Sequence, residues 1–236
     1  MSDPAPSDLP AEDVIRILNG PADEALALLQ KLAGNGVVEA QVILGQWLLE
    51  GRGGAVDRRT ALHWFLTATH SGDAMALNMA GRCYDNGWGT QEDPDLATQF
   101  FRRAADKGLD WGLYNYATAL TLGRGVDADR AQAFALYRRA AGAGHAKSLN
   151  IVGGFYEDGW EVEKDLAVAR DYYRRAAEGG DFRGHFNLGR FLAEDGDLGG
   201  AMTHFREAAR CGTPSFREKL DAFLAGRNLT LEDSAP

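Results

Sequence analysis

Cysteine and proline are scarce in this chain, with two Cys and seven Pro among 236 residues. Cys83 and Cys211 are too few and too far apart for a disulfide framework or a thiolate zinc site, and they read as two reduced, buried thiols. No stretch approaches the roughly 18 consecutive apolar residues of a membrane span. Met1 to Asp13 is acidic and Pro-rich, without the basic and apolar regions of a signal peptide. These absences predict a soluble, cytoplasmic protein with no membrane partner. Bases are also outnumbered: 25 Lys and Arg against 34 Asp and Glu leave a net charge of −9 and a pI near 5.1. That field repels a phosphate backbone, so nucleic acid is not an expected partner.

The constellations that carry chemistry are missing as well. His63, His70, His145, His185 and His204 form no H-E-x-x-H, and none has a carboxylate or thiol at metal-ligand spacing. Gly51-Arg52-Gly53-Gly54 and Gly123-Arg124-Gly125 are not followed by Gly-Lys-Ser/Thr, so they read as turns rather than phosphate loops. Ser has no nucleophile-elbow context, and Glu157-Asp158 reads as a solvated helix end. The sequence therefore predicts no enzyme, no catalytic residue, no metal and no cofactor.

What the chain does have is glycine, 29 residues of it, and a period. Steps of 36 from Gly45 reach Gly81, Ala117, Gly153 and Gly189, all small. The same step links Ala61, Ala97, Ala133 and Ala169; Ala68, Ala104, Ala140 and Ala176; and Gly72, Gly108, Gly144 and Gly180. A fifth unit follows with its loop shortened by four residues, so that Ala201, Ala208 and Gly212 continue the series at a step of 32. Such a period marks a repeat architecture, in which each unit buries its apolar face against its neighbours.

Each unit reads as two helices. In the second, Leu77, Ala80, Gly81 and Tyr84 hold the spacing of one buried helical face. Gly in a helix interior costs about 1 kcal/mol relative to Ala, so its recurrence predicts a neighbour too close for a side chain. Asp57, Asp93, Asp129, Asp165 and Asp197 stand where the second helices should start, as caps for unpaired N–H groups. Pro94 suits a first helical position, and Gly is expected as a left-handed cap at the helix end. Arg102-Arg103, Arg138-Arg139 and Arg174-Arg175 recur in register and read as a solvated face, balanced by acids such as Asp106 and Glu178.

The pattern resembles the Sel1-like repeat, a relative of the tetratricopeptide repeat. It stands as Ala80-Gly81-Arg82-Cys83-Tyr84 with Gly87-Trp88-Gly89, as Val152-Gly153-Gly154-Phe155-Tyr156 with Gly159-Trp160, and in the helix ends Phe101-Arg102-Arg103-Ala104-Ala105 and Tyr173-Arg174-Arg175-Ala176-Ala177. Ala117 and Leu120 depart from it in the third repeat, and the fifth lacks the Gly-x-Gly loop. The resemblance implies an all-α, right-handed α-solenoid of stacked antiparallel helix pairs, with first helices lining the concave side. Along the chain it divides into a flexible acidic tail over 1–10, an N-terminal cap over 11–38, five repeats over 39–212 (39–73, 74–109, 110–145, 146–181 and 182–212), a C-terminal capping helix over 213–227 and a tail over 228–236.

The resemblance also implies an adaptor or scaffold that binds a peptide or protein partner. Core positions repeat in a solenoid and binding positions differ, so the non-repeating residues of the first helices are the candidates. In the implied geometry the concave set is Glu39, Val42 and Gln46; Met75, Asn78 and Arg82; Trp111, Tyr114 and Thr118; Lys147 and Asn150; Arg183, Phe186 and Arg190. Asn78 and Asn150 share a register and suit the backbone of an extended peptide, Arg82 and Arg190 suit its carboxylates, and Trp111 and Tyr114 suit an anchoring role. A second candidate surface is the loop rim, where Trp88 and Trp160 alternate with Arg52 and Arg124. Each indole either lies exposed as a rim or folds back over the next repeat. Two other functions stay open at this point: an accessory or regulatory subunit of a specific enzyme, and a hydrolase or small-ligand binder built into the groove.

Overall fold

The structure is a computed structural model that describes residues 16–17 and 19–232. The tail read over 1–10, the start of the cap at 11–15 and residues 233–236 lie outside the described residues. Among those described, twelve helices of 12 to 14 residues and no strand occur. They are α1 (Ala22–Gly34), α2 (Val38–Glu50), α3 (Arg58–Thr69), α4 (Ala74–Asn86), α5 (Pro94–Asp106), α6 (Asp110–Leu122), α7 (Arg130–Gly142), α8 (Ala146–Asp158), α9 (Leu166–Glu178), α10 (Phe182–Glu194), α11 (Leu198–Cys211) and α12 (Pro214–Ala225). The chain divides into two compact units, Met1–Ala128 with α1 to α6 and Asp129–Pro236 with α7 to α12.

Within each unit, helices consecutive in sequence pack on one another. The predicted caps set where the second helices begin. Asp57, Asp93, Asp129, Asp165 and Asp197 each stand at the N-cap and accept from backbone N–H groups of the first turn. Each such cap is worth about 1 kcal/mol. The first helices carry caps that the repeat did not announce: Asp73 on α4, Asp181 on α10 and the His145 ring on α8. The loop from α10 to α11 is residues 195–197, where its counterpart from α8 to α9 is residues 159–165, which places the four-residue deletion between helices.

The recurring small residue has a definite neighbour. A Cβ built on Gly45 would stand 2.5 Å from Cε1 of Phe65, and on Gly81 2.6 Å from Cε1 of Phe101. In the second unit the corresponding distances are 2.7 Å from Gly153 to Tyr173 and 2.8 Å from Gly189 to Phe205. The second helix of each pair therefore presses an aromatic ring onto the backbone of the first, where a side chain would stand. The second glycine of the Gly-x-Gly loop is equally constrained, since a Cβ on Gly89 would run into the Arg58 carbonyl at φ +77°. The equivalent residue of the next described loop of this kind in the second unit is Glu161, which adopts φ +58° without being glycine.

Cores lie between the helices of each unit. Ala25, Leu29 and Ala33 of α1 meet Ala40, Leu44 and Trp47 of α2, and Phe65, Leu77, Cys83 and Phe100 share a second cluster. In the second unit, Ala169 and Tyr173 pack with Leu188 and Phe191, while Phe205 packs with Leu220 and Leu224 of α12. Two expectations require correction. Cys83 is buried, its thiol pushed up to about 12 by desolvation, but Cys211 is exposed because it is the last residue of α11. Gly212 is extended at φ −76° rather than left-handed, because Thr213 caps α12 and Pro214 starts it at once.

Candidate functional site

The non-repeating residues of the first helices fall into two groups. In the first unit, Glu39 and Arg82 are exposed, Gln46, Met75, Tyr114 and Thr118 are half-buried, and Val42 is buried. Trp111, the second residue of α6, has 38% of its surface accessible, its ring edge-on to Tyr114 at 6.1 Å. Asn78 is different. It is 2% exposed, and its Oδ1 accepts from Asn115 Nδ2 at 2.8 Å, so the first helices α4 and α6 are tied to each other. In the second unit Lys147 and Arg183 are exposed, and Asn150 Oδ1 accepts from Asn187 Nδ2 at the same 2.8 Å. Both amides expected to suit a peptide backbone are therefore bonded through their oxygens to a neighbouring helix.

Arg190 is also engaged. Its Nη2 donates to both oxygens of Glu157, at 2.7 and 2.8 Å, and Tyr173 Oη donates to Glu157 Oε2 at 2.6 Å. Burial, then the hydrogen bond to Glu157, pushes the Tyr173 phenol up from its usual value. Phe186 is half-buried, its ring packed among Phe205, Phe216 and Phe223 at 5.0 to 6.0 Å. These four residues read from the sequence as partner contacts are thus fastened within the fold. The period shows that a position varies, but what a varied residue touches depends on the neighbouring repeat.

The loop rim divides in the same way. Trp88 is half-buried against the core cluster of α4 and α5, with the Arg82 guanidinium 5.1 Å above its ring. Trp160 stays 48% exposed, edge-on to Phe155 at 6.0 Å, with Arg130 5.1 Å from its ring. Arg52 lies over Trp47 at 3.9 Å. Arg124 is held by Asp85 at 3.0 Å, Glu92 at 3.2 Å and the Asp85 carbonyl at 2.7 Å. Of the repeated Arg pairs, Arg102, Arg103, Arg138, Arg139 and Arg174 are exposed and Arg175 is half-buried, and Arg174 bonds Asp171 and Glu178 of its own helix.

The groove and rim residues meet in the first unit. Gln46, Leu49 and Glu50 of α2, Arg58 of α3, Met79 and Arg82 of α4, and Trp88 line a cavity of about 260 Å³. One contact that sequence reasoning missed lies elsewhere: His185 Nδ1 and His204 Nδ1 are 2.9 Å apart, on α10 and α11. Their separation in sequence is not a multiple of the repeat, so the period gives no sign of it. Among the described residues no group of three His, Cys, Asp or Glu is placed to hold a metal ion, and no helix is long and apolar enough to cross a membrane.

Helix pairs at a 36-residue period, four of them locked by an aromatic ring on a glycine, define an α-solenoid of stacked repeats. The chain belongs to the Sel1 repeat family, whose model matches residues 38–73, 74–109, 112–145 and 146–181. Members of that family are generally protein-interaction modules and are typically non-catalytic. The fold is similar to that of a Sel1 repeat protein from Oxalobacter formigenes, 26% identical, with a TM-score of 0.80 over 94% of this chain and 92% of that one. It is also similar to c5321, a protective antigen of uropathogenic Escherichia coli with an SLR fold, at 27% identity, a TM-score of 0.73, and coverage of 94% of this chain and 50% of that one. Among curated proteins, DAP3-binding cell death enhancer 1 of Rattus norvegicus is 31% identical over 84 residues and its Mus musculus counterpart 30% over 86. Each match spans 36% of this chain and 16% of the relative's length.

Proposed function

We propose that this chain is a non-catalytic adaptor or scaffold of the cytoplasm, which grips a peptide or protein loop through the exposed, non-repeating residues of its first helices. Trp111 carries the reading. The positions equivalent to it are Glu39, Met75, Lys147 and Arg183, so the repeat does not require an indole there. The residue is nonetheless 38% exposed, with Tyr114 set edge-on beside its ring. Large aromatics of this kind dominate interface energies. The similarity to relatives named for binding another protein, DAP3, supports the same class of function without naming a partner for this chain.

The test compares retention of proteins from the native cell on the immobilised wild type, on Trp111→Ala and on His63→Ala, a control on an exposed position of the second helix α3. The proposal expects a protein retained by the wild type and by His63→Ala to be lost on Trp111→Ala, with helicity and unfolding midpoint unchanged. Equal retention by all three contradicts it.

A further inference from the structure

Arg82 and Arg190 occupy one register, three repeats apart, and the position 33 residues before each decides what it meets. Before Arg190 that position is Glu157, which takes two hydrogen bonds from the guanidinium. Before Arg82 it is Leu49, which lines the same cavity as Arg82 and offers no charge. Arg82 has no carboxylate within ion-pair distance among the described residues; its neighbours are Met79 Sδ at 3.6 Å and the Trp88 ring. Arg58, on the wall of the same cavity, also forms no ion pair there.

We propose that this cavity is the binding site for a carboxylate on a partner peptide, which completes Arg82 as Glu157 completes Arg190. The proposal rests on the interaction reading above and names one of its contacts. Two arginines, Arg58 and Arg82, line the space, and a planar fork of donors fits a carboxylate in a way a point charge does not. Gln46 adds amide donors, while Leu49, Met79 and the Trp88 face give the adjoining apolar side chain a wall. Glu50, also on the wall, is the one charge of the lining that opposes a carboxylate, against the two arginines. In register, 72 residues on from Gln46 and Arg82, stand Thr118 and Gly154, neither of which carries a charge.

The test is a titration of the full chain, ¹⁵N-labelled, with three peptides: acetyl-Ala-Leu-Glu-Ala-amide, acetyl-Ala-Leu-Gln-Ala with a free C-terminus, and acetyl-Ala-Leu-Gln-Ala-amide. The expected result is saturable movement of the Trp88 indole N–H and the Arg82 Nε–H by one or both carboxylate peptides, and not by the neutral one. Saturation by the Glu peptide assigns an internal acidic residue, and by the free-terminus peptide a chain end. Arg82→Gln should weaken binding by about tenfold or more, the loss of one charge-assisted pair. Leu49→Glu should do the same with Arg82 intact, because it supplies the internal carboxylate that Arg190 already has. Equal response to the neutral peptide, no movement of these two signals with any peptide, or undiminished binding by Leu49→Glu would each overturn the proposal. A protein still lost on Trp111→Ala after such a failure would leave the interaction reading standing and remove only this site.

Discussion

Asn115 donates its amide N–H to Asn78 at 2.8 Å, and 72 residues further on Asn187 repeats the bond to Asn150 at the same distance. In each pair a first helix reaches back to the first helix of the preceding repeat. Asn78 is sealed from water, so its oxygen has no substitute partner if the donor is removed. Asn115→Ala is therefore expected to destabilise by about 1–3 kcal/mol, the cost of a buried polar atom left unpaired. Urea unfolding followed by circular dichroism measures it. A change within about 0.5 kcal/mol, as for an ordinary surface substitution, would show that the pair is not structural.

The glycine–aromatic lock predicts a penalty where helix propensity alone predicts a gain. Gly81→Ala improves intrinsic propensity by about 1 kcal/mol, yet its Cβ would collide with the Phe101 ring. Overpacking of this kind costs about 1–3 kcal/mol. Because the two shortest contacts, at 2.6 and 2.7 Å, are with that ring and the Ala97 carbonyl stands further off at 3.1 Å, Phe101→Leu should cost less in the Gly81→Ala background than in the wild type. Additive effects in that double-mutant cycle would place the strain elsewhere.

Glu161 sits at φ +58° in a loop whose counterpart in the first unit uses Gly89. A side chain in the left-handed region is strained, and its Glu161 side chain is exposed. Glu161→Gly should stabilise by about 0.5–1 kcal/mol, the relief of strain less the freedom gained by the unfolded chain. Thermal unfolding would reveal it as a raised midpoint, and a lowered midpoint would contradict the strain assignment.

The two imidazoles of His185 and His204 make a pH prediction. Desolvation lowers both below the ordinary histidine value, and His204 is lowered further by His185; Glu207 and Asp181 act in the opposite sense on His185, and Arg210 with desolvation. Since the folded values lie below the unfolded one, the unfolded chain binds more protons as the pH falls. Their stabilising contribution is therefore intact above the unfolded value near 6.5 and lost as the pH drops through the folded values below it. His185→Gln with His204→Gln should flatten the fall in stability from neutral pH down to pH 5, relative to the wild type. An unchanged slope would exclude the pair as its source.

The fold was legible because its determinants repeat. Small residues under aromatic rings, Asp at five helix starts and Gly at helix ends recur in register, so one chain serves as its own alignment. The site was legible only in part. Arg82 and Arg190 are alike in sequence, as are Asn78 and Asn150, but a side chain's availability depends on what the adjacent repeat brings to it. Leu49 leaves Arg82 open while Glu157 closes Arg190, and Asn115 and Asn187 close the two asparagines. Those partners lie 33 or 37 residues away, offsets close to the period but outside it. A pattern read at steps of 36 passes over them.

The central claim is that partners are held by the first helices, and photo-crosslinking tests it most directly. A benzophenone side chain placed at position 111 on α6, and in a separate protein at position 63 on α3, reports which face touches a bound protein. The account predicts a discrete crosslinked adduct from position 111 and none from position 63. Adducts from position 63 alone would contradict it and move recognition to the second helices.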